Sequence, residues 1–148
     1  FVVDSKGTGN TGGGPVVAGV WTERDLGEQA DPQGLITFVG NTFKLTAGDY
    51  MVWLEVPGHN VGKHQSRLRK TPNGGGGVTT ELLGGSIASP AASTSSSIIT
   101  GPLTVTDPDD VYHIEHWTQN ANAGDGFGVF TGRGDTEIYT KGWFVKTT

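Results

Sequence analysis

The clearest hydrophobic pattern in the chain lies between residues 41 and 59, where the sequence reads NTFKLTAGDYMVWLEVPGH. From residue 50 to residue 56 every second position is apolar, and the positions between hold Met51, Trp53 and Glu55. Because strand side chains point alternately to opposite faces, this segment is predicted to be a strand with one wholly apolar face and one aromatic, partly polar face. We expect Pro57 to end it. Such a strand is typical of two sheets packed face to face.

Short alternating runs recur along the rest of the chain, and no stretch of useful length has a helical period. About eight to ten short strands separated by turns predict a β-sandwich or a barrel. Residues 71–77 and 88–97 are predicted loops, since the first reads TPNGGGG and the second is rich in Ser. The other predicted strands are residues 16–24, 35–39, 43–45, 65–70, 79–87, 97–105, 111–119 and 136–146.

The first 14 residues form a separate part of the predicted organisation. A short apolar patch is followed by a glycine-rich stretch, so residues 1–14 are predicted to be a flexible lead-in from an upstream segment. Residues 7–12 match the nucleotide-binding pattern G-x-G-x-x-G, but Gly13, Gly14 and Pro15 follow instead of a helix, which argues against a phosphate site. Residues 15–148 are predicted to form one domain.

Composition excludes several classes of function. The net charge of −5 argues against a nucleic-acid binder, because phosphate contacts need clustered Lys and Arg. The chain has no Cys, so disulfides and thiolate metal sites are impossible. No apolar run approaches the roughly 18 residues of a membrane-spanning helix, and we expect no membrane insertion. No cofactor is predicted.

The candidates for catalysis are few. Ser86 lies in the sequence GGSIA, which lacks the second glycine of a nucleophile elbow. Glu55 and Glu115 could form the carboxylate pair of a glycosidase, but strand glutamates on a solvent or subunit face are the commoner arrangement. No nucleophile, base and orienting group form a recognisable set, so the chain is predicted not to be an enzyme.

The histidines and one acidic run are the candidate metal ligands. His59 and His64 flank a predicted loop and could meet, whereas His113 and His116 are three apart on a predicted strand and face opposite sides. A pair falls short of a zinc site, so no metal is predicted, although a site completed on a trimer axis stays open. The aspartates within residues 107–110 are interpreted as a turn rather than a calcium loop.

One set of residues carries a family resemblance. Phe43, Leu45, Gly48, Tyr50 and Val56 follow the pattern F-x-L-x-x-G-x-Y-x-x-x-x-x-V. This pattern resembles the core-crossing stretch of the jelly roll shared by tumour necrosis factor and the globular heads of complement proteins. The resemblance implies an all-β fold, an antiparallel jelly-roll β-sandwich of the tumour-necrosis-factor-like type.

Four further motifs narrow that resemblance: TER-x-L at residues 22–26, Y-x-I-x-H-x-x-Q at 112–119, GFG at 126–128 and TEIYT at 136–140. Together they resemble the C-terminal head domains of phage tail fibres, tail needles and related viral spikes. The resemblance implies a non-enzymatic head at the tip of a fibre, attached to an upstream shaft on the virion surface. Its expected partner is a host-cell surface glycan or protein. The alternatives are a purely structural trimerisation knob and a secreted complement-head-like lectin.

Large aromatic residues suggest an oligomer. Trp53, Trp117 and Trp143 lie on predicted strands whose other faces are already apolar, and surplus aromatic area is typical of a subunit interface. The family resemblance makes the expected assembly a homotrimer.

The binding surface is predicted from strand parity. Strands joined in series place successive loops at alternate ends of a sandwich, so residues 57–64, 88–97 and 120–135 should share the end away from the shaft. Polar groups on such loops are where binding residues concentrate. An Arg-Gly-Asp tripeptide at residues 133–135 is interpreted as a tight turn rather than an adhesion motif. The predicted receptor-binding residues are His59, Asn60, Lys63, His64, Asn120, Asn122, Asp125, Arg133 and Asp135.

Overall fold

The structure is a computed structural model that describes residues 1–6, 13–28, 31–129 and 137–148. Within these ranges all regular structure is β-strand, and no helix that could span a membrane occurs in them. The strands are β1 (Val2–Lys6), β2 (Trp21–Glu23), β3 (Gly27–Glu28), β4 (Ile36–Val39), β5 (Thr42–Leu45), β6 (Gly48–His59), β7 (Gly62–Thr71), β8 (Thr79–Leu83), β9 (Ile87–Ser89), β10 (Thr94–Val105), β11 (Val111–Thr118) and β12 (Glu137–Lys146).

The strands form two sheets. One has five strands in the order β10-β6-β12-β1-β3, and the other has seven, in the order β4-β5-β11-β7-β8 with β2 on β11 and β9 on β7. Every pairing between these described strands is antiparallel. The predicted antiparallel β-sandwich is therefore confirmed.

The core lies between the inward faces of the two sheets. The alternate residues of β6 from Tyr50 to Val56 are buried, as the hydrophobic pattern predicts. Phe43 of β5 packs against Tyr112 of its own sheet, with ring centroids 6.0 Å apart, and joins the two sheets through Phe144 of β12, with centroids 5.2 Å apart. The strongest alternating segment of the sequence thus forms an interior strand of the five-stranded sheet, and its apolar face lines the hydrophobic core.

Pro57 does not end β6, contrary to expectation, because the strand continues to His59. Beyond Glu55 the strand pairs with β10 but no longer with β12. A residue that lacks an N–H group is tolerated where one side of a strand has no ladder to complete. The connection to β7 is consequently short, and Asn60 within it adopts a left-handed φ of 51°.

The serine-rich stretch was wrongly predicted to be a loop throughout. Residues 87–89 and 94–105 are strands, and Ser97 is buried between the sheets. Its hydroxyl accepts hydrogen bonds from the backbone N–H and the hydroxyl of Ser66, at 3.0 and 2.8 Å. Inward serines are thus satisfied by partners on the opposite sheet, which low-complexity composition does not indicate.

The prediction that residues 1–14 are a flexible lead-in is wrong for their first part. Residues 2–6 form β1, which pairs with β12 and β3, and Val2 is fully buried in the core. Pairing as a strand gives these residues ladder hydrogen bonds and buries apolar surface. This stabilisation outweighs the flexibility expected from the glycine-rich sequence that follows. Residues 7–12 lie outside the described residues.

Candidate functional site

The predicted binding loops meet at one end of the sandwich, which we call the far end: residues 59–62, 89–94 and 119–128. The backbone N–H of His59 donates to the carbonyl of Gly126 at 3.0 Å, and that of Asn60 donates to Ser93 at 3.0 Å. The N–H of Asn120 donates to the carbonyl of Val61 at 2.9 Å. These bonds join three loops that are distant in the sequence into one surface.

Asn122 and Asp125 hold the loop at residues 119–128 in shape. The Asn122 side-chain amide donates to the Asp125 carboxylate at 2.7 Å and to the carbonyl of His59 at 3.1 Å. Its oxygen accepts the backbone N–H of Gly124 at 3.2 Å and of Asp125 at 3.3 Å. The Nε2 atom of His59 lies 3.8 Å from the Asp125 carboxylate. These three side chains therefore organise the surface as well as contributing to it.

Three predicted residues have their side chains open to solvent at the far end. Asn60, Lys63 and Asn120 are exposed, and the backbone around them is held by the hydrogen bonds of the neighbouring loops. The N–H of Lys63 also donates to the side-chain oxygen of Gln119 at 3.1 Å. They offer amide and ammonium groups to a ligand from a defined backbone. Arg133 and Asp135, also predicted to bind, lie outside the described residues.

His64 does not belong to the exposed surface, contrary to its predicted role. It is a residue of β7 rather than of a loop, and only 1% of its surface is exposed. Its position in the strand turns the ring inward, where Nδ1 lies 2.8 Å from Nε2 of His116 on β11. His64 therefore meets His116 rather than His59.

A buried polar cluster lies beneath the far end, and sequence reasoning missed it. The fully buried Arg24 donates from Nε to the hydroxyl of Thr140 at 2.9 Å and from Nη2 to the carbonyl of Phe127 at 3.2 Å. Its guanidinium carbon lies 3.9 Å from the centre of the Phe127 ring, and Nη2 lies 3.6 Å from the Asp4 carboxylate. Burial lowers the pKa of Arg24 to about 10, against the opposing attraction of Asp4 and Asp25.

The motifs behind the phage-head resemblance converge on this cluster. Arg24 comes from TER-x-L, His116 from Y-x-I-x-H-x-x-Q, Phe127 from GFG and Thr140 from TEIYT. The ring of His116 stacks on that of Phe127 with centroids 5.5 Å apart. Motifs separated by up to 116 residues thus build one contact between the sheets and the far-end loop. Their shared location is a signal that the motifs have a common structural role.

The acidic run at residues 107–110 lies at the opposite end, which we call the near end. The Asp107 carboxylate accepts the backbone N–H of Asp109 at 2.8 Å, and the Asp109 carboxylate pairs with Lys44 at 2.7 Å. The N–H of Asn73 donates to the Asp110 carboxylate at 3.0 Å. These are turn-stabilising bonds of the kind that Asp forms with nearby backbone. No group of three or more His, Asp and Glu residues suited to a metal ion occurs in the described ranges.

The two strand glutamates do not form a catalytic pair. Glu55 lies on the five-stranded sheet and is paired with Lys141 at 3.1 Å, while Glu115 lies on the seven-stranded sheet. The Glu115 carboxylate accepts from Nε of Arg67 at 2.6 Å. Both alternate with buried neighbours and so point away from the core, on opposite faces of the sandwich. The distance across two packed sheets excludes a shared substrate.

An apolar strip runs along the outward face of the five-stranded sheet. Trp53 and Trp143 are cross-strand partners whose ring centroids are 4.8 Å apart, and Met51 is the partner of Val145. Met51, Trp143 and Val145 are 52%, 44% and 57% exposed. Trp117, which was grouped with these residues in the prediction, lies instead on the seven-stranded sheet, opposite Trp21. We call Met51, Trp53, Trp143 and Val145 the apolar strip.

Replacing Asn122 by Ala should lower the free energy of unfolding by about 1–2 kcal/mol, because its side chain makes several hydrogen bonds that shape the far-end loop. Urea unfolding measures this change. Replacing the exposed Asn120 by Ala is the matched control and should change stability by no more than about 0.5 kcal/mol. Equal effects of the two substitutions would show that Asn122 does not organise the loop.

No protein-family model and no curated protein matches the sequence. The structure is similar to three crystal structures of murine APRIL. The structure at pH 5.0 has a TM-score of 0.61 with 16% identity and covers 90% of this chain and 96% of that one. The structure at pH 8.0 has a TM-score of 0.62 with 15% identity over 99% and 95% of the two chains. The structure at pH 8.5 has a TM-score of 0.61 with 16% identity over 99% and 98%.

These similarities confirm the predicted fold class. The chain is a tumour-necrosis-factor-like jelly-roll β-sandwich, matched over nearly its whole length and over nearly the whole length of the APRIL chains. At this level of identity the similarity establishes the fold, and function has to be argued from the surfaces of this chain.

Proposed function

We propose that this chain is a non-enzymatic head domain that forms a homotrimer and recognises a host-cell surface receptor at the tip of a viral or phage fibre. The apolar strip is the observation that carries the proposal. It places exposed Met, Trp and Val side chains side by side on one sheet face, with 44–57% of three of them open to solvent. Contiguous apolar patches rich in Trp and Met are typical of subunit interfaces.

One end of the apolar strip carries groups suited to the edge of an interface. Glu55 and Lys141 continue the rows of Trp53 and Trp143 toward the far end, and their charges pair at 3.1 Å. An apolar centre bordered by a polar rim is the usual anatomy of a specific interface. Association through this sheet would leave the far-end loops of each copy free.

The far end supplies the second part of the proposal. Asn60, Lys63 and Asn120 are exposed there on backbone that is tied to neighbouring loops. Preorganised polar groups lose little entropy on binding, which favours recognition of hydrogen-bonding ligands such as a glycan or a protein surface. His59, Asn122 and Asp125 hold these groups in place, and Arg133 and Asp135 remain candidates from the sequence alone.

The viral setting is supported by sequence motifs. The four motifs that resemble heads of phage tail fibres, needles and spikes supply the buried cluster of Arg24, His116, Phe127 and Thr140. A location on the virion surface and attachment to an upstream fibre shaft belong to the same proposal. The fold itself is compatible with many functions, so the motifs rather than the fold support this setting.

Binding of the purified protein to a glycan array and to whole cells tests the proposal. We expect saturable binding to a defined glycan or to the surface of one group of host cells. A trimer that binds no cell and no glycan would support a structural knob that caps a shaft. The genes beside the coding sequence separate a fibre head from a secreted complement-head-like lectin.

A further inference from the structure

The hydrogen bonds of the buried histidines have a defined direction. The Ser95 hydroxyl donates to the carbonyl of Ala88 at 2.9 Å, so its oxygen accepts from Nε2 of His64, also at 2.9 Å. A neutral His64 that donates from Nε2 has a bare Nδ1, which must accept the Nε2 proton of His116 across 2.8 Å. The remaining ring nitrogen, Nδ1 of His116, is then a bare acceptor, and it is buried with no hydrogen-bond partner among the described residues.

An additional proton has no favourable position in this arrangement. A proton on Nδ1 of His116 would create a buried N–H group that faces no acceptor in the part of the chain that the structure describes. A proton on Nδ1 of His64 would place two N–H groups against each other across 2.8 Å. If His116 changed tautomer to relieve that clash, its Nδ1 would again carry an unsatisfied N–H. The hydrogen bonds of His64 and His116 are therefore satisfied only while both rings are neutral.

A buried cation acts on both histidine rings. Arg24, which follows β2, is the cation whose charge acts on both rings, and its Nη2 lies 3.6 Å from the carboxylate of Asp4 on β1. The other strands packed here present Ser95 from β10 and Thr140 from β12, which carry no charge. His59 and Asp125 are the titratable groups of the covering loops, and they face each other at 3.8 Å.

Burial and the Arg24 charge act on the two histidines in the same direction. Burial, followed by Arg24, lowers the pKa of His64 to about 4. Burial lowers the pKa of His116 well below its ordinary value, with further contributions from Arg24 and His64. A histidine with a depressed pKa stabilises the folded state at neutral pH, and that stability is lost as the pH falls below the unfolded value near 6.5.

The far-end loop is attached to this cluster through Phe127. The ring of Phe127 stacks on His116, and the carbonyl of Phe127 accepts from Arg24 at 3.2 Å. The N–H of Phe127 donates to the carbonyl of Gly14 at 3.3 Å. A change that disrupts the His116 ring position therefore acts directly on the segment that carries Asn122 and Asp125.

We propose that the His64–His116 pair makes the far end acid-sensitive: proton uptake by the pair releases the loop at residues 119–128 from the sandwich. The loop is docked while both rings are neutral and detaches in acid, because charging either ring adds a second buried cation beside Arg24. The release of the loop is a property of the fold. Its consequence for receptor binding, which would weaken in acid, rests on the proposed function.

Amide hydrogen exchange of the wild-type protein at several pH values between 7.5 and 4.5 tests the release. After correction for the intrinsic rate, peptides from residues 119–128 should exchange at least about tenfold faster at pH 4.5 than at pH 7.5. Peptides from the near-end half of β6 should keep their protection over the same range. Unchanged protection of the loop at pH 4.5 would overturn the proposal.

Two variants identify the titrating groups. His116→Gln removes the buried ring and should abolish most of the pH dependence of loop exchange. His113→Gln is the matched control, since His113 lies on the same strand but its ring bonds to Glu115 on the outward face at 3.3 Å. His113→Gln should retain the wild-type pH dependence of loop exchange. If His113→Gln loses that dependence, the effect belongs to a group outside the buried pair.

The exchange measurement does not depend on a receptor, so the two proposals fail separately. Loop release in acid without any cell binding would leave the acid response in place and remove the receptor-binding proposal. Cell binding by a protein whose loop stays protected in acid would support the receptor-binding proposal and remove the acid response. If His116→Gln does not fold, the wild-type titration still decides the question.

Discussion

Replacing Arg24 by Met should lower the free energy of unfolding by about 3–5 kcal/mol, the range seen when one partner of a buried ion pair is removed. The substitution keeps much of the apolar stem but removes the cation 3.6 Å from the buried Asp4 carboxylate. It also removes the hydrogen bonds to Thr140 and to the carbonyl of Phe127. Urea unfolding followed by tryptophan fluorescence measures the change.

Arg69→Met is the matched control for this prediction. Arg69 lies on the outward face of β7, where Nε is 3.6 Å from Glu115 and Nη1 donates to Thr80 at 2.6 Å. Ion pairs at the surface contribute little, so the control should cost no more than about 1 kcal/mol. Comparable losses for the two variants would show that the Arg24 cluster does not join the far-end loop to the sandwich.

A far-end variant that carries Asn60→Gly, Lys63→Ala and Asn120→Ala should lose cell-surface binding while remaining folded. These side chains are exposed, and glycine at position 60 preserves the left-handed backbone that Asn60 adopts with a φ of 51°. Asn122 and Asp125 are left intact because they shape the loop. Flow cytometry of labelled protein on host cells measures the loss.

The control for this prediction is a near-end variant with Asn73→Ala and Asp109→Ala. Both side chains are exposed, and both lie at the opposite end of the sandwich. The near-end variant should bind cells as the wild type does. Loss of binding in the near-end variant, with full binding by the far-end variant, would place the receptor site at the near end and overturn the prediction.

The alternating residues of β6 allowed the sandwich to be predicted from sequence, since period-two burial is a local property of the chain. Parity along successive strands also placed Asn60 and Asn120 at one end, and their loops are indeed joined by hydrogen bonds. Whether these residues bind a receptor stays a prediction. Local periodicity thus predicts on which face of a sheet a side chain lies and at which end of the sandwich a loop lies. It says less about contacts between distant strands.

The buried cluster could not be predicted, because its contacts depend on the pairing of distant strands. His64 and His116 are 52 residues apart, and Arg24 and Thr140 are 116 apart. Parity correctly separated His113 from His116, but the partner of His116 depends on the register of β7 against β11. Arginine side chains are usually exposed, so the residue type gave no reason to expect that Arg24 is buried.

The molar mass of the wild-type protein in solution tests whether the apolar strip joins copies of this chain. Light scattering at micromolar concentration should give about three times the 15.5 kDa of one chain. Trp143→Glu, which places a charge in the strip, should give a monomer of 15.5 kDa, while Val39→Glu on the seven-stranded sheet, where Val39 is 66% exposed, should remain trimeric. A wild-type mass near 15.5 kDa would show that the apolar strip does not join copies of this chain.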